Sequence, residues 1–359
     1  MASWEVLGKP ANILAMDRQS EFHERIGGDN LAALWVARRG MDLTRPASPA
    51  EPVIWPYDEI RCHLIEAGDL VSAGEAFRRV LVLENPAFKG RMQATNTLYA
   101  GLQLVLPGET APCHRHSQTA IRFVIEGAGG YTAVDGERIP LSRGDFVITP
   151  NWTWHDHGNR GDAPVIWLDV LDTPLVGFLD TVFRENYPKP LHPIIRNEGE
   201  TRARYGAGMI PVDFDPSQNP LPLTHYPYAE SRAALTAMAD SAPPDPTHGL
   251  KMQYTNPATG APATPTMAAF LQHLPKGFIG QSYRSTESTV VCVAEGRGRS
   301  TIDGVSLEWG PGDVFVVPGW LRHRHEAEDE AVLFSVSDRP VQQALGLWRE
   351  ERHGGGANL

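Results

Sequence analysis

The sequence predicts an all-β chain of two antiparallel barrels behind a helical N-terminal arm, on three observations. Short β-rich runs separated by Gly, Pro, Asp and Asn fill the stretch from about Thr97 to Asp172. The same texture returns about 169 residues later. Two histidine blocks, His114-Arg115-His116 and Trp154-His155-Asp156-His157, punctuate the first copy.

In chain order, Ile26, Leu31, Leu34, Trp35 and Val36 keep helical spacing before Pro46, Pro49, Pro52 and Pro56 end it. Residues 1–75 therefore read as a helical arm and lead-in. The runs Tyr99–Leu106, Ala120–Ile125, Gly130–Val134, Phe146–Thr149 and Val165–Leu171 are short strands with turn residues between them, which places a barrel over residues 76–186. Residues 187–266 are proline-rich, with Pro243-Pro244-Asp245-Pro246 and a run from Pro257 to Pro265, and read as a linker with some helix near Ala229–Ala239. Residues 267–359 repeat the barrel. Glu126-Gly127 returns as Glu295-Gly296, Asp135-Gly136 as Asp303-Gly304, and Gly144-Asp145 as Gly312-Asp313. Pro150, Trp152 and His155 return as Pro318, Trp320 and His323. After Val341 a helical tail is expected to fray at Gly354-Gly355-Gly356.

Composition excludes several classes. A chain of 359 residues with 42% hydrophobic and 21% charged content can bury two cores. A net charge of -11 offers no basic footprint for nucleic acid or an anionic membrane, while leaving room for local positive pockets. Cys62, Cys113 and Cys292 are scattered and odd in number, which argues against a disulfide framework and for a reducing compartment. With no signal-peptide core and no apolar run of about 18 residues, the expectation is a soluble cytoplasmic protein.

On a strand, residues two apart share a face, so His114 and His116 point together into the barrel while Cys113 and Arg115 point away. His155 follows its own Gly144–Pro150 strand signal and can arrive beside them as a third imidazole. An isolated H-x-H is also what two exposed histidines on a strand look like; Gly108, Gly127, Gly144, Pro150 and Asn159 at fixed spacing around these three are what favour a metal site. Three neutral nitrogen donors suit Fe(II), Zn(II), Cu(II) or Ni(II) and leave coordination positions open. The second barrel has Tyr283 and Ser285 where the first has His114 and His116, leaving His323 alone, so one metal per chain is expected. His273 and His325 read as ordinary polar residues.

The spacings G-x5-H-x-H and G-x5-P-x-W-x2-H-x3-N match the two cupin motifs. The longer strings His114-Arg115-His116-Ser117-Gln118 and Trp152-Thr153-Trp154-His155-Asp156-His157-Gly158-Asn159 resemble the bicupin gentisate 1,2-dioxygenases and their salicylate-type relatives, over nearly the whole chain. The first cupin motif usually offers a glutamate where this chain has Ala120 and Ile121, and a three-histidine site without a carboxylate is the pattern of that narrower group. The resemblance implies two double-stranded β-helix (jelly-roll) barrels and one Fe(II) held by His114, His116 and His155. The substrate it implies is a small aromatic hydroxy acid together with dioxygen, and the assembly a homotetramer.

By the same resemblance, Arg122, Arg79, Gln103 and Tyr99 bind substrate, Asp169 orients arginine or histidine groups, and His157 acts as a hydrogen-bond partner or proton handler. Parity supports Arg122, which lies six residues after His116; its alternative is an internal ion pair with Asp169. Arg78 beside Arg79 confuses the register there. The implied reaction opens gentisate to maleylpyruvate. Salicylate, 5-nitrosalicylate and 1-hydroxy-2-naphthoate are alternative acids, and a non-catalytic cupin that stores or senses an aromatic ligand is the reading from another class.

Overall fold

The computed structural model describes residues 10–37 and 43–352, in two compact units, Met1–Ala47 and Ser48–Leu359. In the first unit the expected arm is two helices, Pro10–Gly28 and Leu34–Ala37. The helical run breaks at Asn30, whose φ of 59° is left-handed. Phe22 stacks on Trp35 across the break, with ring centroids 6.4 Å apart.

The second unit holds both barrels. β1 (Ile54–Trp55) and β2 (Val80–Val82) lead to β3 (Tyr99–Val105), β4 (Thr110–His116), β5 (Ala120–Glu126), β6 (Gly130–Val134) and β7 (Glu137–Pro140). Next come β8 (Phe146–Thr149), β9 (His155–Asn159), β10 (Val165–Leu171), β11 (Arg184–Asn186) and β12 (His225–Tyr226). The second half runs through β13 (Leu250–Gln253), β14 (Ala268–Leu274), β15 (Tyr283–Ser285), β16 (Thr289–Glu295), β17 (Gly298–Ile302) and β18 (Val305–Trp309). It closes with β19 (Val314–Val317), β20 (His323–Ala327), β21 (Ala331–Ser337) and β22 (Glu350–Arg352). The first barrel pairs the sheet β12-β8-β5-β10-β3-β2 with the sheet β11-β4-β9-β6-β7, and the second pairs β1-β19-β16-β21-β14-β13 with β18-β17-β20-β15-β22.

The five strands expected from the β-rich runs appear at the expected places, and β5 and β10 are buried on both faces almost throughout. In β5, Val124 joins Val134, Val147 and Trp167 inside the first barrel. Its alternate residues Ile121, Phe123 and Ile125 face a second core shared with Val290, Val316 and Phe334 of the other barrel. Phe123 and Phe334 stack there at 4.2 Å, a pair that adds about 1 kcal/mol beyond the area it buries.

The segments read as lead-in and linker differ from expectation. β1, from the chain before the first barrel, pairs with β19 of the second, and β12, from the chain between the barrels, pairs with β8 of the first. Each is followed by a helix, Tyr57–Leu70 or Tyr228–Ser241, that ties the two barrels together. Tyr57 donates its amide to Asp313 and its hydroxyl to Glu126, which also takes the Arg61 guanidinium. Tyr228 donates its amide to Asp145 and its hydroxyl to Glu295, which also takes Arg232. The duplication thus includes Trp55-Pro56-Tyr57-Asp58-Glu59-Ile60-Arg61 and Tyr226-Pro227-Tyr228-Ala229-Glu230-Ser231-Arg232, with the two copies exchanged. Two-residue strands beside proline show no alternation, so nothing in the pattern marks them as sheet. The tail also differs: after a short helix, Arg339–Ala344, it returns as β22 on β15. Gly354-Gly355-Gly356 lie outside the described residues.

Candidate metal centre and substrate cavity

β4 and β9 are neighbours, with His114 opposite His155. A register shift between Ala111 and His114 adds one residue to β4 at Pro112–Cys113, a bulge that re-aims the strand before the first ligand. His114, His116 and His155 then converge, with ring centroids 4.3 Å (114–155), 4.8 Å (116–155) and 5.2 Å (114–116) apart. One nitrogen from each lies within 4.8 Å of the others.

The outer nitrogens set the tautomers. Nδ1 of His116 lies 2.9 Å from the Gln118 carbonyl and Nδ1 of His155 lies 2.9 Å from the Thr153 carbonyl. A carbonyl can only accept, so each Nδ1 carries the proton and each Nε2 presents a lone pair. Nε2 of His155 is buried with no protein partner, as a ligand nitrogen should be. Burial, and then the Arg78 guanidinium, push His114 down to about 2; burial, opposed by the Gln118 bond, brings His116 down to about 4. All three imidazoles are neutral at neutral pH, the form that binds metals. The donor set fits a metal ion.

The triad opens on a cavity of about 770 Å³ whose other wall is the facing six-stranded sheet. Tyr99, Gln103, Arg122 and Asp169 line it, as expected from the sequence. Arg122 and Asp169 are opposite one another on β5 and β10, with Nε–Oδ1 3.1 Å, so the internal ion pair and the cavity position are both realised. Arg122 also donates to the Thr149 hydroxyl. Burial depresses Arg122 and raises Asp169, each opposed by the other's charge. Nε2 of Gln103 is buried without a protein partner. A Cβ at Gly101 would lie 2.7 Å from Val80 Cγ1 and 2.8 Å from the Tyr99 hydroxyl, so a side chain there would have to displace one of the two.

Arg79 is a correction. Its guanidinium turns away from the cavity to Glu109, at 2.8 Å, and to the Val71 carbonyl. Arg78 takes the cavity instead, with Nη2 2.9 Å from the Pro112 carbonyl and 2.7 Å from His114 Nδ1. Parity could have found this: Val80 pairs with Gln103 and shares its inward face, and Arg78 lies two residues before Val80. His157 does not wall the cavity. It is fully buried behind the triad, its ring 5.6 Å from His155 and its Nδ1 3.0 Å from the Thr132 hydroxyl. His325 and Ser300 repeat that contact in the second barrel, at 2.8 Å. Arg184, Phe178 and Val182 also line the cavity and have no sequence signal, since β11 pairs with β4 through a three-residue strand without alternation.

In the second barrel Tyr283 sits opposite His323 as His114 sits opposite His155, so the expected correspondence holds in the register itself. The three cysteines are free.

A cupin-domain model matches residues 101–171 and 270–337, one block in each barrel. The chain is 50% identical to a gentisate 1,2-dioxygenase of Aquipseudomonas alcaligenes over 335 residues, 93% of this chain and 96% of that protein. It belongs to the gentisate 1,2-dioxygenase family. Within this family of ring-cleaving oxidoreductases, a 5-aminosalicylate 1,2-dioxygenase of a Comamonas species is 37% identical over 92% of this chain and 89% of its own. A salicylate 1,2-dioxygenase of Pseudoaminobacter salicylatoxidans, solved as a gentisate adduct, superimposes with a TM-score of 0.86 at 31% identity, over 99% of this chain and 98% of that one. The bicupin fold is common to this chain and that structure. No described helix is long and apolar enough to cross a membrane.

Proposed function

We propose that this protein is an iron(II)-dependent dioxygenase that opens the ring of gentisate between its carboxyl-bearing and hydroxyl-bearing carbons, giving maleylpyruvate. The observation that carries the reading is the three-imidazole triad opening on a cavity lined by Arg78 and Arg122, in a chain half identical to a gentisate 1,2-dioxygenase. Both oxygen atoms of dioxygen end in the product, so no external reductant is needed. Bound iron(II) supplies a redox-active centre at which the hydroxy acid and dioxygen are activated together.

The protein's own residues position and bind. His114, His116 and His155 hold the ion on one side and leave the cavity side open. Arg78 and Arg122 offer guanidinium donors to a carboxylate, a charge-assisted pairing stronger than a neutral hydrogen bond. Asp169 keeps the Arg122 fork oriented, Gln103 supplies an unpartnered amide donor, and Tyr99 packs along the ring. His157 keeps its Nε2 without a protein partner one ring behind His155, which suits hydrogen bonding or proton handling. Walls of Val80, Phe88 and Leu171 exclude water from the rest of the ring.

Salicylate, 5-nitrosalicylate and 1-hydroxy-2-naphthoate are the acids the same chemistry would reach next. Further readings place the enzyme in the cytoplasm, in keeping with its free cysteines, and make it a homotetramer, which sedimentation equilibrium tests. For the activity, the protein is loaded anaerobically with Fe(II), and oxygen uptake and ultraviolet spectra are followed across a panel of hydroxybenzoates. Uptake fastest with gentisate is expected. No uptake with any acid would overturn the dioxygenase reading, and equal rates on salicylate would overturn only the preference for gentisate.

A further inference from the structure

Four arginines line the cavity, Arg78, Arg91, Arg122 and Arg184, against the single carboxylate of Asp169. Arg122 is buried and Arg78 half-buried, and both are held by hydrogen bonds inside. Arg184 differs from both. It is exposed, on the same cavity wall as the strongly exposed Phe178 and Val182. Among the described residues its guanidinium has no carboxylate partner and no hydrogen bond.

What holds Arg184 is a stack. Its Cζ lies 4.0 Å from the centre of the Phe77 ring. The same ring meets His114 edge-on at 5.6 Å and carries the Arg78 guanidinium, whose Cζ lies 5.2 Å from its centre. Phe77 adopts a φ of 56°, which a bulky residue takes up only when its surroundings compel it. The backbone beneath Arg184 is fixed as well, because β11 pairs it with His116 on the ligand strand. A cation is thus presented at the mouth of the cavity, one ring removed from a metal ligand, with all of its donors free.

We propose that Arg184 is the entry cation of the site, the group that first captures the carboxylate of an incoming aromatic acid and passes it to Arg78 and Arg122. The proposal rests on the reading of the site as one for an anionic hydroxy acid. Its physical basis is electrostatic: the chain carries a net charge of -11, which repels an anion, and an exposed guanidinium at the cavity mouth reverses the field where the substrate enters. Arg91 shares the cavity wall without a stack, so it adds field but makes no fixed contact.

The test measures gentisate binding to the Fe(II)-loaded protein under anaerobic conditions, by tryptophan fluorescence, at low and high ionic strength. Arg184→Gln should weaken binding roughly threefold to tenfold and flatten its salt dependence, with kcat within about twofold of the parent. Arg184→Lys, which keeps the charge, should recover part of the loss, and Arg91→Gln should lose less than Arg184→Gln. Parental affinity in Arg184→Gln, an unchanged salt dependence, or an equal loss in Arg91→Gln would each overturn the assignment, as would a fall in kcat at constant KM. Because binding is read without turnover, a failure of gentisate cleavage leaves the test intact, with salicylate as the probe.

Discussion

Nη2 of Arg78 lies 2.7 Å from Nδ1 of His114, so the first cavity arginine and the first metal ligand share an edge. Arg79, one residue on, faces the opposite way into Glu109. The two neighbours should therefore fail differently. Arg78→Gln is expected to lower kcat/KM by about tenfold to a hundredfold with little change in unfolding free energy. Arg79→Gln should leave kcat/KM near the parent value and cost on the order of 2 kcal/mol in urea unfolding, because Glu109 loses its partner. Steady-state kinetics and urea titration on the two variants separate these outcomes, and a reversed pattern would return Arg79 to the site.

Metal content should be one ion per chain. His116→Ala is expected to bring it close to zero while keeping the circular dichroism of the fold, and His323→Ala should leave it unchanged. His323 has Tyr283 rather than a histidine opposite it. Elemental analysis after gel filtration decides; two ions per chain, or loss of the ion in His323→Ala, would move a site into the second barrel.

Acid should destabilise the metal-free protein through its buried histidines. His116 titrates at about 4 when folded, pushed down chiefly by burial, and near 6.5 when unfolded. The unfolded chain therefore binds the extra proton between these values, and stability falls as pH drops through that window. Each such histidine contributes a slope of about 1.4 kcal/mol per pH unit. The contribution is fully present above about pH 6.5. Urea titrations of the apoprotein at pH 7 and pH 5 should show the loss, and a smaller one in His116→Gln.

Tyr57→Phe and Tyr228→Phe remove equivalent hydroxyls, at 2.7 Å from Glu126 and 2.5 Å from Glu295. Each should cost about 1 kcal/mol, and the double variant about twice that, since the two contacts share no partner. Denaturant titration of the three variants checks both the size and the sum, with gentisate turnover unchanged in each.

Much of the metal centre was legible because its signals are local. His114, His116 and His155 lie on strands whose parity and punctuation fix their direction, and the count carried on from His116 reaches Arg122, which stands on β5 of the facing sheet. Arg78 was lost to its neighbour because β2 is three residues long, too short to announce its register; only its pairing with Gln103 settles which arginine turns inward. Arg184 carried no signal at all, being placed by a strand that exists only through its partner β4. The exchanged strands β1 and β12 went unseen for a like reason, although Trp55-Pro56-Tyr57 and Tyr226-Pro227-Tyr228 spell the same tripeptide pattern. β5 is buried on both faces because the other barrel covers its outer side.

The exchange of β1 and β12 has an evolutionary cost. Once each half had lent its edge strand to the other, neither could be discarded, whatever became of its histidines. The second barrel lacks two of the three histidines and still could not be deleted, since the sheet of the first barrel is finished at Phe146 and Val147 by chain that leads into the other half. A shortened, single-barrel descendant would have to invent a new edge before it could lose the old one.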